Sequence, residues 1–240
     1  MTTLTYLILF CVLAICSLVA VSIANERERR AKNIRQRLRS LKRKVDDLEE
    51  MVIEVDLLVE SRAIANFIND EIIDLLQSML RLDSNAGYLY ASLANAEKRT
   101  TELSDESKPQ TLNRLQESDA QIAKARYFLT EAGKVLKRQY TIGNITPEEN
   151  NQFLLQLNWA YLMVEVISHV AQGHKAMNRS DVLSAHAFYK RAQQSLIQSS
   201  HPDPRRHQMI RELTEILNNQ RQALSAELMP EQQHNPDSDN

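Results

Sequence analysis

Residues that make turns are scarce in this sequence, which has 4 glycines and 6 prolines among its 240 residues. A β-sandwich or barrel of this length would need many more turns, and therefore more of both residues. Aromatic residues make up only 5% of the chain, so its core has to be built from Leu, Ile, Val and Ala. These shortages predict an all-α fold.

Cysteine is also rare, since Cys11 and Cys16 are the only two in the chain. Residues five apart on a helix point about 140° away from each other, so these two thiols cannot pair within one chain. No cysteine follows residue 16, which excludes a disulfide framework and is expected of a cytosolic domain.

Charge is absent before Glu26, and residues 4–24 form an apolar run. A helix of this length is roughly 31 Å long, which matches the hydrocarbon thickness of a bilayer, so the run predicts a transmembrane anchor. A cleaved signal peptide is an alternative, but its basic residues would precede the apolar core. A lipoprotein signal needs a small residue where Ile15 precedes Cys16. A soluble core helix is the third alternative, and a run this long without charge disfavours it.

Basic side chains dominate the stretch directly behind the apolar run, where Glu28 is the one acid between residues 27 and 44. Positive charge beside a span stays in the cytoplasm, so we expect a single-pass protein of the bacterial inner membrane with its N-terminus outside. The same residues are placed to bind anionic lipid headgroups: Arg27, Arg29, Arg30, Lys32, Arg35, Arg37, Arg39, Lys42, Arg43 and Lys44.

Nucleic acid is an alternative ligand for this basic segment, because phosphates also attract clustered Lys and Arg. The whole chain has 29 basic and 31 acidic residues, which leaves 19 basic and 29 acidic groups beyond residue 44. An acidic domain and a basic segment without interleaved aromatics favour lipid over nucleic acid.

An apolar repeat of 3.5 residues follows within residues 26–83, which we interpret as a basic juxtamembrane segment and a coiled-coil stalk. The pattern favours a parallel homodimer, with β-branched residues common at one core position and Leu at the other. A long helix that folds back on its own domain is the alternative. The predicted stalk core consists of Ile34, Leu38, Leu41, Val45, Leu48, Val52, Val55 and Val59.

Residues 84–228 read as a helical bundle. After a helix that continues to Leu82, we expect helices over 87–103, from Pro109 to about 141, over 147–177, over 181–200 and over 205–227. Thr146, Pro147 and Glu149 have the spacing of a helix start with a capping box. Residues 229–240 contain two prolines and no apolar pattern, so we expect a disordered tail.

One segment of the bundle, about residues 166–199, resembles a tetratricopeptide repeat. With residue 166 as the first position, Gly173, Ala185, Tyr189 and Ala192 occupy the places where that motif has small and aromatic residues. His169, Gln172, Ala176 and Ile197 depart from it, and no second unit follows at the same period. The resemblance implies a helical hairpin with a peptide-binding groove, and a degenerate helical bundle is the alternative.

Motifs of catalysis are missing, since the chain has no Gly-rich phosphate loop, nucleophile elbow or kinase signature. Its six His residues include no pair spaced to hold a metal on one helix face. We therefore expect no enzyme, no cofactor and no metal. The expected function is that of a membrane-anchored scaffold or adaptor that presents a helical protein-interaction domain to cytosolic partners, with envelope biogenesis or cell division as the expected setting. An enzyme of unrecognised type is the alternative.

Overall fold

A computed structural model of the chain describes residues 2–105, 107 and 109–231, and for residues 2–16, 19 and 20 it describes the backbone alone. All regular elements in these ranges are helices, which confirms the all-α class. The seven helices are α1 (Thr2–Leu58), α2 (Arg62–Leu82), α3 (Gly87–Leu103), α4 (Asp119–Thr141), α5 (Pro147–Asn178), α6 (Val182–Gln198) and α7 (Arg205–Leu217).

The first helix, α1, is uninterrupted over 57 residues and is therefore about 85 Å long. It contains the backbone of the predicted anchor, the basic segment and the first helix of a packed core. It ends just before Ser61, whose hydroxyl accepts a hydrogen bond from the Ala63 N–H and so caps α2. The second helix then runs back along the C-terminal half of α1.

A first core, which we call the proximal lobe, is formed by α1 from Val45 onward, α2, α3, α4 and α5 as far as Val164. Within it, α3 begins and ends as predicted and packs on α2. The buried Asn69 side chain joins these two helices, because its Nδ2 donates to the Ala96 carbonyl (2.8 Å) and to the Thr100 hydroxyl (2.9 Å).

The start of α4 differs from the prediction. Residues 109–117 are not helical, and α4 begins at Asp119 with Ser118 as its N-cap. The segment before α4 is fixed by bonds to distant residues instead: Asn113 N–H donates to the Leu57 carbonyl (2.8 Å), and Gln116 N–H to the Ser168 hydroxyl (2.9 Å). The prediction from Pro109 was therefore wrong about this stretch.

The predicted start of α5 is confirmed, because the Thr146 hydroxyl accepts from Glu149 N–H while the Glu149 carboxylate accepts from Thr146 N–H. Among the described side chains, α5 is the one helix long and apolar enough to cross a membrane. However, 67% of its most apolar stretch is buried inside the protein, as expected of a core helix. The predicted anchor at 4–24 falls largely on side chains outside this description.

A second core, the distal lobe, is formed by α5 from Trp159 onward, α6, α7 and residues 218–231. Here α7 ends at Leu217, ten residues earlier than predicted. The chain beyond it is not helical, yet Leu224 and Met229 are fully buried and Glu231 is nearly so. The prediction of a disordered tail is therefore wrong for Met229 and Glu231, and residues 232–240 lie outside the description.

Candidate interaction surfaces

The basic segment of α1 is exposed along its length. Within the described part of the chain, two of its ten cations make ion pairs: Arg30 with Glu26 on the same helix, and Lys44 with Glu71 on α2. The other eight lack an ion pair among the described residues, and their charge is available to an outside anion. These eight are Arg27, Arg29, Lys32, Arg35, Arg37, Arg39, Lys42 and Arg43.

The predicted stalk positions divide into two groups. Ile34 is 39% exposed, and Leu38 and Leu41 are half-buried against the proximal lobe. The other five positions are buried inside the chain itself, mainly by α2; they are Val45, Leu48, Val52, Val55 and Val59. A coiled coil with a second copy is not confirmed, because a neighbouring helix of the same chain satisfies the same apolar spacing.

A buried carboxylate, Glu71, holds α1, α2 and α4 together. It accepts hydrogen bonds from Lys44 Nζ (2.7 Å), Arg138 Nη2 (2.6 Å) and Gln139 Nε2 (3.3 Å). Burial alone would raise the pKa of this carboxyl, but the bonds from Arg138 and Lys44 outweigh it and hold the pKa below its ordinary value. The charged form of Glu71 is thus part of the folded structure.

A second charge cluster fastens the distal lobe to the turn between α1 and α2. The buried Arg114 donates through Nε to Glu231 (2.8 Å), and Arg205 donates through Nη1 to Glu60 (2.7 Å). Burial alone would raise the pKa of the Glu60 carboxyl. The hydrogen bond and the positive charge of Arg205 outweigh burial, so this pKa lies below its ordinary value. Sequence reasoning missed both clusters, because a charged residue gives no sign in the sequence of which distant residue it will contact.

A cavity of about 190 Å³ lies beside this cluster, lined in part by Trp159, His201 and Arg205. The Arg205 guanidinium lies 4.8 Å from the centre of the Trp159 ring. Sites for drug-sized ligands usually measure about 300–1,000 Å³, and the charged groups here already bond to one another. The side chains that line this cavity therefore serve to hold the helices together, and we do not assign it a ligand.

The hairpin of α5 and α6 contains the residues that resemble a tetratricopeptide repeat. Ala185, Tyr189 and Ala192 are buried between the two helices, and the Tyr189 ring lies directly over Gly173. The Tyr189 hydroxyl is 2.8 Å from Nδ1 of the buried His174, and burial raises the pKa of Tyr189 to about 12. The small residues Gly173, Ala185 and Ala192 leave room for the Tyr189 ring between the two helices. The resemblance of this hairpin to a tetratricopeptide repeat stays a prediction.

Exposed aromatic residues lie at the end of the proximal lobe that faces the basic segment. Tyr88 and Tyr90 are each 55% exposed at the start of α3, and Lys42 Nζ lies 5.9 Å from the centre of the Tyr88 ring. Residues two apart on a helix point about 160° away from each other, so Tyr90 lies on the other flank of α3. The C-terminal end of α4 reaches the same level, because Arg138 and Lys44 share Glu71. Sequence reasoning did not find this surface, since Tyr88 and Tyr90 have no notable spacing to the cations of α1.

Metal chemistry finds no support within the described ranges, where no three His, Cys, Asp or Glu side chains come together in a way that could hold an ion. His169, His174 and His201 instead contact aromatic rings. Comparison with protein-family models, with curated proteins and with solved structures found no match for this chain. The observations that bear on function are therefore the exposed surfaces of the chain itself.

Proposed function

We propose that this protein is a single-pass adaptor of the bacterial inner membrane, with its N-terminus outside and its helical domain in the cytoplasm. The continuity of α1 carries the proposal. One helix contains the apolar run of residues 4–24, the basic segment and the core positions from Val45 to Val55. A membrane anchor joined to a domain without a flexible linker suits a protein that holds a binding surface at a set place above the bilayer.

The surface chemistry supports an adaptor over an enzyme. The two charge clusters are saturated by their own ion pairs, so their groups are occupied in holding helices together. In the described part of the chain, the exposed cations of α1 other than Arg30 and Lys44 are not used in this way, and the exposed Tyr88 ring lies beside Lys42. Such groups bind a partner surface, and the proposed activity is the recruitment of a cytosolic protein to the membrane.

A parallel homodimer is proposed with a shorter contact than the sequence predicts, confined to Ile34, Leu38 and Leu41 and to the span. Arg37 of one copy would face Lys42 of the other, so this contact requires a bound anion to reduce the repulsion. With the native cysteines replaced, we expect Ile34→Cys to crosslink between copies and Val52→Cys to stay uncrosslinked, because Val52 is buried by α2.

Topology reporters test the membrane proposal. The full chain is fused at either terminus to a reporter active only in the cytoplasm or only outside it, and the membranes are washed with alkaline carbonate. We expect the chain to stay in the washed membranes, with a cytoplasmic C-terminus and an external N-terminus. Release by carbonate would contradict the anchor, and an external C-terminus would contradict the orientation.

A further inference from the structure

The length of α1 separates its basic residues into two groups with different reach. With Ala24 at the edge of the hydrocarbon, a rise of 1.5 Å per residue puts Lys32 about 12 Å and Arg43 about 28 Å farther out. A typical helix tilt of about 20° shortens these distances by less than a tenth. Because the headgroup region is roughly 5–8 Å thick, Lys32 lies close to lipid and Arg43 about 20 Å beyond it.

Lipid attraction cannot account for the outer group, which consists of Arg39, Lys42 and Arg43. The Debye length is about 8 Å at physiological salt, so charges some two lengths or more from the headgroups gain little from them. These three cations also lack an ion pair among the residues that the structure describes. The prediction of headgroup binding therefore fits Arg27, Arg29, Arg30 and Lys32, while the outer group is available to a different anion.

Apolar surface adjoins the outer cations, which decides what kind of anion fits. The Tyr88 ring lies beside Lys42 and is 55% exposed. On the other side along α1, the basic group is followed at once by Asp46, Asp47, Glu49 and Glu50. A long phosphate backbone would extend past the cations and meet repulsion from these acids, whereas a short acidic segment with apolar side chains fits within the reach of the cations and the Tyr88 ring.

Resting on the proposed membrane anchor, we infer that Arg39, Lys42, Arg43 and Tyr88 form the docking surface for an acidic, amphipathic segment of a cytosolic protein partner. The partner's carboxylates contact the outer cations, and its apolar side chains cover the Tyr88 ring. The rigid helix sets the surface roughly 20 Å above the headgroups, so a cytosolic protein reaches it without entering the lipid interface.

Site-specific photocrosslinking of the full chain in cells tests this inference. A benzophenone amino acid replaces Tyr88, and in a matched control it replaces Tyr127, which is similarly exposed on α4. We expect an adduct at position 88 and none at position 127. The partner peptide crosslinked at position 88 should contain acidic residues (Asp or Glu) together with apolar ones. No adduct above the control at position 88, or an adduct with nucleic acid or lipid, would overturn the inference.

Two sets of three substitutions then assign the charge. Arg39→Gln, Lys42→Gln and Arg43→Gln together are expected to lower the adduct yield about tenfold, a modest contribution from each of three exposed charges. The matched set Arg27→Gln, Arg29→Gln and Arg30→Gln is expected to leave the yield within about twofold, since these residues lie at the headgroups. Equal loss in both sets would contradict the separation of the two groups.

Membrane flotation of each variant keeps this inference distinct from the proposed function. A chain that does not float with lipid refutes the membrane anchor itself. A chain that floats, keeps the melting temperature of the parent and yields no acidic adduct at position 88 refutes the docking surface alone.

Discussion

At the residue scale, two glycines inside helices have very different surroundings. A Cβ added at Gly173 would lie 2.4–2.9 Å from three atoms of the Tyr189 ring, whereas one added at Gly133 would meet its nearest atom at 3.8 Å. We expect Gly173→Ala to lower the free energy of unfolding by about 1–3 kcal/mol, because the buried ring has no free space to enter. Gly133→Ala is expected to raise it by about 0.5–1 kcal/mol through helix propensity.

Urea unfolding of both glycine variants measures this contrast. Equal effects of the two substitutions would contradict the close packing of α5 on α6. The sequence motif pointed to Gly173 as a small residue, but the ring that requires it became visible only in the structure. Gly133 has no comparable neighbour and lies outside the motif.

Glu71 supplies a prediction on pH at the same scale. Its pKa is lower in the folded chain than in the unfolded one, so its stabilising contribution is fully present above the ordinary value of 4.5 and is lost as the pH falls through the lowered folded pKa. We expect Glu71→Gln to cost about 1–2 kcal/mol at neutral pH, since bonds to Lys44 and Arg138 are lost.

The difference between Glu71→Gln and the parent should shrink as the pH is lowered below the ordinary value, because the parent then loses the same charge. The exposed Asp46→Asn serves as the control and should stay close to the parent at every pH. A constant difference between Glu71→Gln and the parent at all pH values would contradict the role of the ionised carboxylate.

At the scale of single elements, the outcome of the predictions follows from what sets each boundary. The start of α5 was predictable because Thr146, Pro147 and Glu149 cap the helix locally. The apolar repeat of α1 correctly identified a buried stripe, yet a stripe does not say whether its partner is a second copy or α2. The helix expected from Pro109 failed because residues 110–116 bond to α1 and α5, which no local signal reveals.

The two faces of α1 give a test at this scale. Val55 is fully buried against the rest of the chain, while Ile53, two residues away, is 57% exposed. We expect Val55→Ala to cost about 2 kcal/mol and Ile53→Ala less than about 0.5 kcal/mol, since one removes core contacts and the other removes surface.

Thermal unfolding at several protein concentrations measures both substitutions and identifies the partner of the stripe. For a stripe buried within one chain, the loss caused by Val55→Ala should not depend on concentration. A loss that does vary with concentration would instead assign Val55 to an interface between copies.

At the scale of the whole molecule, the two lobes are joined by long-range contacts. Composition was sufficient for the all-α class, but the burial of Leu224 and Met229 and the pair of Arg114 with Glu231 depend on parts of the chain far apart in sequence. Local periodicity does not reveal such contacts. The predicted α7 is therefore ten residues too long, and the predicted disordered tail begins too early.

The most direct measurement of the central claim is the distance between spin labels at Asn25 and Asp46 in lipid nanodiscs, with Cys11 and Cys16 replaced by Ala. Both labelled sites are exposed, and an unbroken α1 puts them roughly 32 Å apart. A narrow distribution near that value is the expected result, because anchor and domain then share one rigid helix. A broad distribution, or one centred well below it, would show a flexible or bent connection and would contradict an adaptor that holds its surface at a set height.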